Sequence, residues 1–367
     1  MLLPTRASLI LLAAAVTACS GGNRPLYIGA AGPWTESFGR MNQLGIQLAI
    51  EEINARGGVR GRPLRVIERD DEGVGSTAAA IASEFVANRA IVGVVGPVTS
   101  GAMMAAARIY DQGLPAIATT ASSPDLSGIS DWAFRVISSD SANGLTMAQF
   151  AEARGYARAA ILYENNSYGR GLADAFERRF TGTIVSKDPI PSDGRTSVEP
   201  WLSWLATRAP DLVFVAGTDA SGRAVLQEAR RQGLRTAFMG GDGWTPLAND
   251  TIAAEGAWVG APFSAEDPRS EAQRFVRAFV DRHGETPDGN AALAYDATMV
   301  LAAAIEQAGA SRSRVRDWLA NLQTGDPHGG VTGPIAFNIG GDVIGRGVVM
   351  TRIRKGALTV EGGGAGS

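Results

Sequence analysis

Residues able to hold a small polar molecule recur at five points in this chain, each just after a short apolar run. Val98-Thr99-Ser100 stands between a run ending at Gly96 and a helical pattern from Gly101. Thr119-Thr120-Ala121-Ser122-Ser123-Pro124 follows Pro115–Ala118. Tyr168 precedes Gly169 at a helix start, Thr218-Asp219 follows Phe214-Val215, and Asp242 follows Met239 between Gly241 and Gly243. Singly, each has an ordinary structural use. Ser100, Thr218 and Asp219 are residue types that cap helices, and Ser122-Ser123 before Pro124 suits a turn. Tyr168 suits a rim, and Asp242 suits a turn. Together they suit binding: hydroxyls and free backbone N–H groups at helix starts favour a carboxylate, and one acid across a cleft favours an ammonium.

Catalytic patterns are absent from the sequence. Its two histidines, His283 and His328, have no metal-ligand spacing. It has no phosphate-cradling GxxxxGK[ST] loop, no GxGxxG after a strand and no GxSxG elbow. Asp70-Asp71-Glu72 reads as an exposed acidic strand end, not a metal cluster. No enzyme activity, metal or cofactor is expected. The net charge of −3, without a basic patch, gives no sign of nucleic-acid binding.

The elements that must position these residues alternate. Apolar runs suited to buried parallel strands occur at Leu26–Ala31, Val92–Val95, Ala159–Tyr163, Leu212–Val215 and Ala237–Met239. Helical patterns lie between them. Ile46, Ala49, Ile50 and Ile53 form one apolar stripe, Gly57-Gly58 supplies the left-handed residues that end helices, and Leu64–Ile67 follows as a strand. Ala102, Ala105, Ala106 and Ile109 form another stripe, and further helices read at Leu172–Phe180 and Ala224–Arg231. Alternation of this kind predicts an α/β fold of doubly wound parallel sheets with right-handed crossovers. In such sheets ligands bind beyond the carboxyl ends of the strands. The pattern restarts near Ser138-Ser139-Asp140, which marks a lobe boundary.

The first 18 residues carry one charge, Arg6, then the apolar run Leu9–Val16 and the small residues before Cys19. This is an export signal, too short to span a bilayer. Val16-Thr17-Ala18-Cys19 resembles a lipobox, and Cys19 is the sole cysteine. Cys19 is therefore expected to be lipidated and to become the first residue. The other reading is a plain signal peptide cut near Ala18. Residues 19–25 read as a tether, and residues 362–367 as a disordered tail.

The string from Glu51 to Leu64 (EEINARGGVRGRPL) with Asp70-Asp71 resembles the first βαβ unit of the branched-chain amino-acid-binding proteins of ABC importers, in the type I periplasmic binding protein family. Tyr163–Ala173 (YENNSYGRGLA) and Phe238–Trp244 (FMGGDGW) are similar to two further motifs of that family. The resemblance implies two lobes joined by a three-segment hinge. Lobe 1 would comprise 26–139 and 264–338, and lobe 2 would comprise 140–263 and 339–361, with crossings at Ser138–Asp140, Pro262–Ser264 and Asn338–Gly341. It also implies roles. Ser100 and Ser122, with backbone groups near Val98 and Thr120, would hold a ligand α-carboxylate. Asp242 would take the α-ammonium, Tyr168 would contact the ligand, and Phe38 would line the pocket. Thr218 stands where leucine-type binders have tyrosine, Thr99 and Gly73 replace a cysteine pair bridged in some relatives, and Trp34 and Trp244 are bulky residues near the pocket with no match. The implied protein is a lipid-anchored, periplasmic, monomeric substrate-binding protein. It would capture an amino acid by hinge closure and deliver it to an ABC permease. A ligand sensor for a membrane receptor, or a lipoprotein regulating a cell-wall synthase, are the alternatives.

Cys19→Ala should leave the precursor uncleaved or release the protein from membrane fractions, since stable anchoring needs several acyl chains. Normal processing and sedimentation of that variant would exclude lipidation at Cys19.

Overall fold

The computed structural model describes residues 24–322 and 325–361; the signal segment, Cys19 and the glycine tail lie outside them. The chain begins with β1 (Leu26–Gly32), α1 (Ser37–Ala55), β2 (Leu64–Asp70), α2 (Gly75–Ala87), β3 (Ile91–Val95), α3 (Ser100–Tyr110), β4 (Ala116–Ala118) and β5 (Ala133–Arg135). These strands form one sheet in the order β2-β1-β3-β4-β5, parallel throughout. Every residue of β3 is buried, as expected of a strand covered on both faces. Ile46, Ala49 and Ile53 of α1 are buried, with Ile50 packed against the same core. Gly57 and Gly58 then take φ of 99° and 78°.

The second lobe holds α4 (Asp140–Ala153), β6 (Arg158–Glu164), α5 (Ser167–Arg179), β7 (Thr183–Ile190), α6 (Glu199–Arg208), β8 (Leu212–Ala216), α7 (Asp219–Arg231), β9 (Ala237–Gly240) and β10 (Trp258–Ala261). The chain then returns to the first lobe through α8 (Ser270–His283), α9 (Gly289–Ala308), α10 (Arg312–Ala320) and the hairpin β11 (His328–Gly330) with β12 (Gly333–Ile335). It ends in the second lobe as β13 (Val349–Arg354) and β14 (Ala357–Val360). Helix α9 lays Leu293, Ala297, Val300 and Leu301 on one face of the first sheet, while α2 and α3 cover the other with Phe85, Met103 and Tyr110. In the second lobe, Phe176 of α5 stacks on Phe214 of β8 at 4.1 Å. No described helix is long and apolar enough to cross a membrane.

Three expectations need correction. The second sheet runs β14-β13-β10-β9-β8-β6-β7, and β13 and β14 pair antiparallel at its edge, so this lobe is mixed, not wholly parallel. The third crossing is not at Asn338–Gly341. Gly340 and Gly341 accept backbone bonds from Gly128 and Arg135 of the first lobe (both 2.9 Å), and buried Arg135 pairs with Asp342 at 2.6 Å. The Arg346 guanidinium still holds Pro334 O at 3.0 Å, whereas Val348 packs in the second lobe. The chain therefore crosses after Arg346, and a lobe boundary at 338/339 falls too early. Asp71 is fully buried, not part of an exposed acidic end; its carboxylate accepts from Gly73 N at 2.9 Å.

Helices α4 and α5 meet with backbone almost touching. A Cβ on Gly144 would stand 2.6 Å from Ala175 Cβ and 2.8 Å from α5 backbone. Gly144→Ala should force the helices apart and cost about 1–3 kcal/mol, read as a lower midpoint in chemical denaturation. An unchanged midpoint would show that the pair separates without cost.

Candidate functional site

Between the lobes lies a cleft of about 280 Å³, lined from the carboxyl ends of eight parallel strands. This is where doubly wound sheets leave backbone groups free to meet a ligand. Pro33 follows β1, Gly73 follows β2, Val98–Gly101 follows β3 and Thr120 follows β4. Across the gap, Glu164 ends β6, Ser192 follows β7, Thr218 follows β8 and Asp242 follows β9. Phe38 near the start of α1 and Asn290 near the start of α9 complete the wall.

On the first lobe, Thr99 is the N-cap of α3, its hydroxyl accepting from Ala102 N at 3.4 Å. Capping is therefore not the work of Ser100, whose Oγ accepts from Ser123 N at 3.1 Å. Thr120 Oγ1 donates to Val98 O at 3.0 Å, tying two cleft-lining turns together. A Cβ on Gly73 would stand 4.0 Å from Thr99 Cγ2, so these two positions face each other.

The second lobe supplies acids. Tyr168 OH donates to Asp242 Oδ1 at 2.9 Å and accepts from Gly243 N at 3.1 Å. Tyr168 is thus a half-buried bracket on Asp242, not a rim residue. Asp242 is only 8% exposed; desolvation pushes its carboxyl above the usual range, partly offset by the Tyr168 bond and nearby backbone amides. Asp140, fully buried at the start of α4, is pushed up by its own desolvation and then by the charge of Asp242. Thr218 is the N-cap residue of α7, but its hydroxyl donates to Glu164 Oε1 at 2.7 Å.

Ser122 and Trp244 do not line the cleft. Ser122 is fully buried and donates to Asp140 Oδ2 at 2.9 Å, while Ser123 accepts from Asp125 N in the turn. Trp244 lies in the core of the second lobe, and Trp34 packs against that of the first. Glu164 and Asn290 are cleft residues that the sequence reading passed over. Glu164 sits in YENNSYG at a strand's carboxyl end, so the rule that selected Asp242 applies equally to it. Asn290 had no such signal, because α9 shows no amphipathic stripe.

The lobes touch across this cleft. Ser37 Oγ donates to Asp219 Oδ2 at 3.0 Å, and Asn290 Nδ2 donates to Thr245 Oγ1 at 3.1 Å. A family model described as periplasmic binding protein matches residues 26–357. The chain belongs to that family. The leucine-, isoleucine-, valine-, threonine-, and alanine-binding protein of Pseudomonas aeruginosa is 30% identical over 332 residues, covering 86% of each chain. Among solved structures, an ABC transporter substrate-binding protein of Desulfitobacterium hafniense in complex with Leu is 32% identical, with a TM-score of 0.80 over 92% of this chain and all of that one. The branched-chain amino acid transporter substrate-binding protein of Streptococcus pneumoniae, in complex with isoleucine, superposes with a TM-score of 0.85 at 26% identity over 92% and 99% of the two chains. These relatives are named as substrate-binding proteins or for the amino acids they bind.

A carboxyl whose folded pKa is raised weakens the fold wherever it is ionised. That penalty is full above the raised value and vanishes below the ordinary one, near pH 4. Asp242→Asn should therefore make the ligand-free protein as stable as wild type or more so at pH 7. The difference should shrink as the pH falls toward 4. Thermal melts at both pH values check this, and a variant markedly less stable at pH 7 would contradict the direction.

Proposed function

We propose that this chain is the extracytoplasmic solute-binding component of an ABC importer. It captures an amino acid between its lobes, is held to the membrane through Cys19, and passes its ligand to a permease. The carrying observation is the polarity of the cleft. Buried Asp242, bracketed by Tyr168, faces a first-lobe wall offering the Ser100 hydroxyl, backbone near Val98 and Thr120, and the start of α3. A zwitterion satisfies both walls at once: its ammonium meets the carboxylate, and its carboxylate meets hydroxyls and a helix N-terminus. The cavity volume is near the lower end of ligand pockets, about 300–1,000 Å³, and fits a molecule of amino-acid size. The Ser37–Asp219 and Asn290–Thr245 contacts join elements on opposite lobes and support closure by rotation at the three crossings.

Thermal-shift measurements with L-leucine, L-isoleucine, L-valine, L-alanine and L-lysine test the ligand class, since a ligand at 100-fold its Kd adds about 2.7 kcal/mol. Asp242→Asn keeps the shape but removes the charge, and truncating a buried charge pair costs about 2–5 kcal/mol. Calorimetry should show about 30-fold or greater weakening of the bound amino acid. Ser100→Ala should lose less, about 1.5–3 kcal/mol. Because Asp242 must lose its proton to pair with an ammonium, affinity should rise as the pH climbs from about 4 toward neutrality. Small-angle scattering should show compaction on binding. Full affinity in Asp242→Asn would remove the ammonium from the account.

A further inference from the structure

The cleft carries more negative charge than a plain zwitterion requires. Glu36, Glu72, Glu164 and Asp242 line it, and no lysine, arginine or histidine does so among the described residues. Glu36 and Glu72 are exposed, so they add a field that draws cations toward the site. Glu164 differs, being 1% exposed with no ion-pair partner among the described residues. Its Oε1 accepts from Thr218 N (2.8 Å), Thr218 Oγ1 (2.7 Å) and Ser221 Oγ (2.7 Å). Its Oε2 accepts from Asn166 Nδ2 alone, at 2.9 Å. All four partners are neutral donors, and Oε2 keeps acceptor capacity in a residue that lines the cavity. A buried acid without a countercharge is costly.

Glu164 ends β6 and Asp242 lies in the turn just after β9; these two strands are separated only by β8. Strand spacing puts those ends roughly 10 Å apart along one wall. That spacing suits a ligand with two positive groups joined by a short chain. It suits neither a single ammonium nor an anion.

We propose that Glu164 determines specificity, receiving a second cationic group at the side-chain end of the ligand, so that the cleft selects basic amino acids over aliphatic and acidic ones. The proposal rests on the amino-acid reading above and narrows it. Asp242 takes the α-ammonium and Glu164 the distal cation. Thr218 and Ser221 hold Glu164 in place from the first turn of α7, while Asn166 holds it from the N-cap of α5.

The full-length protein is titrated calorimetrically with L-lysine, L-leucine and L-glutamate, as wild type and as Glu164→Gln. The variant keeps an acceptor for Thr218 and Ser221 and lacks the charge. Wild type should bind lysine at least about tenfold more tightly than leucine, with glutamate weakest. Glu164→Gln should cut lysine affinity by about tenfold or more and leave leucine within about twofold. If lysine binds no more tightly than leucine, or the variant weakens both equally, Glu164 only supports α7 and the inference is overturned while the amino-acid reading stands. No response to any of the three removes both. Should Glu164→Gln fail to fold, the wild-type order of lysine and leucine decides the matter alone.

Discussion

The Tyr168–Asp242 hydrogen bond joins the start of α5 to the turn after β9, two elements 74 residues apart. Much of the second-lobe wall depends on it. A carboxylate this far from water needs donors, because desolvation disfavours the charged form. Tyr168 OH provides one and is itself fixed by Gly243 N. With Tyr168 in place, the acid is held in one orientation at the cleft wall. The same physics ties Asp140 to Ser122 and Asn143 at the first crossing. Buried acids thus sit both in the wall and at the crossing, each held by neutral donors.

Parallel sheets explain why such groups converge. Crossover helices return the chain to the same end of the sheet, so the carboxyl ends of the parallel strands open toward one side of each lobe. Two lobes facing each other bring eight of these ends to one cavity. Rigidity of each lobe follows from packing on both sheet faces, seen in the Phe176–Phe214 stack and the α9 face against β3 and β4. The crossings are linked by polar contacts instead. Arg135 and Arg346 donate to first-lobe carbonyls, and Asp342 accepts from Arg135, so the third connection is anchored to the first lobe as far as Arg346.

Relatives named for leucine, isoleucine and valine binding are similar to this chain, and its own cleft places Thr218, bonded to Glu164, beyond the end of β8. A small hydroxyl at this point exposes a polar wall where a ring would present an apolar one. The contacts proposed for the amino-acid backbone and for its side chain thus lie at different strand ends. One can change without disturbing the other, because each turn is supported by its own hydrogen bonds.

Alternating apolar runs fixed the α/β class, most first-lobe strands and the α1–Gly57-Gly58 ending, because those features depend on residues near each other in the chain. The strand-end rule likewise placed Val98, Ser100, Thr120, Tyr168, Thr218 and Asp242 at positions that line the cleft. Helix α9 escaped notice because fifteen of its residues are buried, and a helix covered on nearly all sides has no stripe to read. The antiparallel edge of the second sheet was equally hidden, since β13 meets β10 only after some ninety residues of intervening chain. Ser122 and Trp244 show the same limit in the site: their neighbours are Asp140 and the second-lobe core. Local pattern therefore determined which residues stand at strand ends; only tertiary packing decided which face the cavity, because burial and hydrogen-bond partners are set by segments distant in sequence.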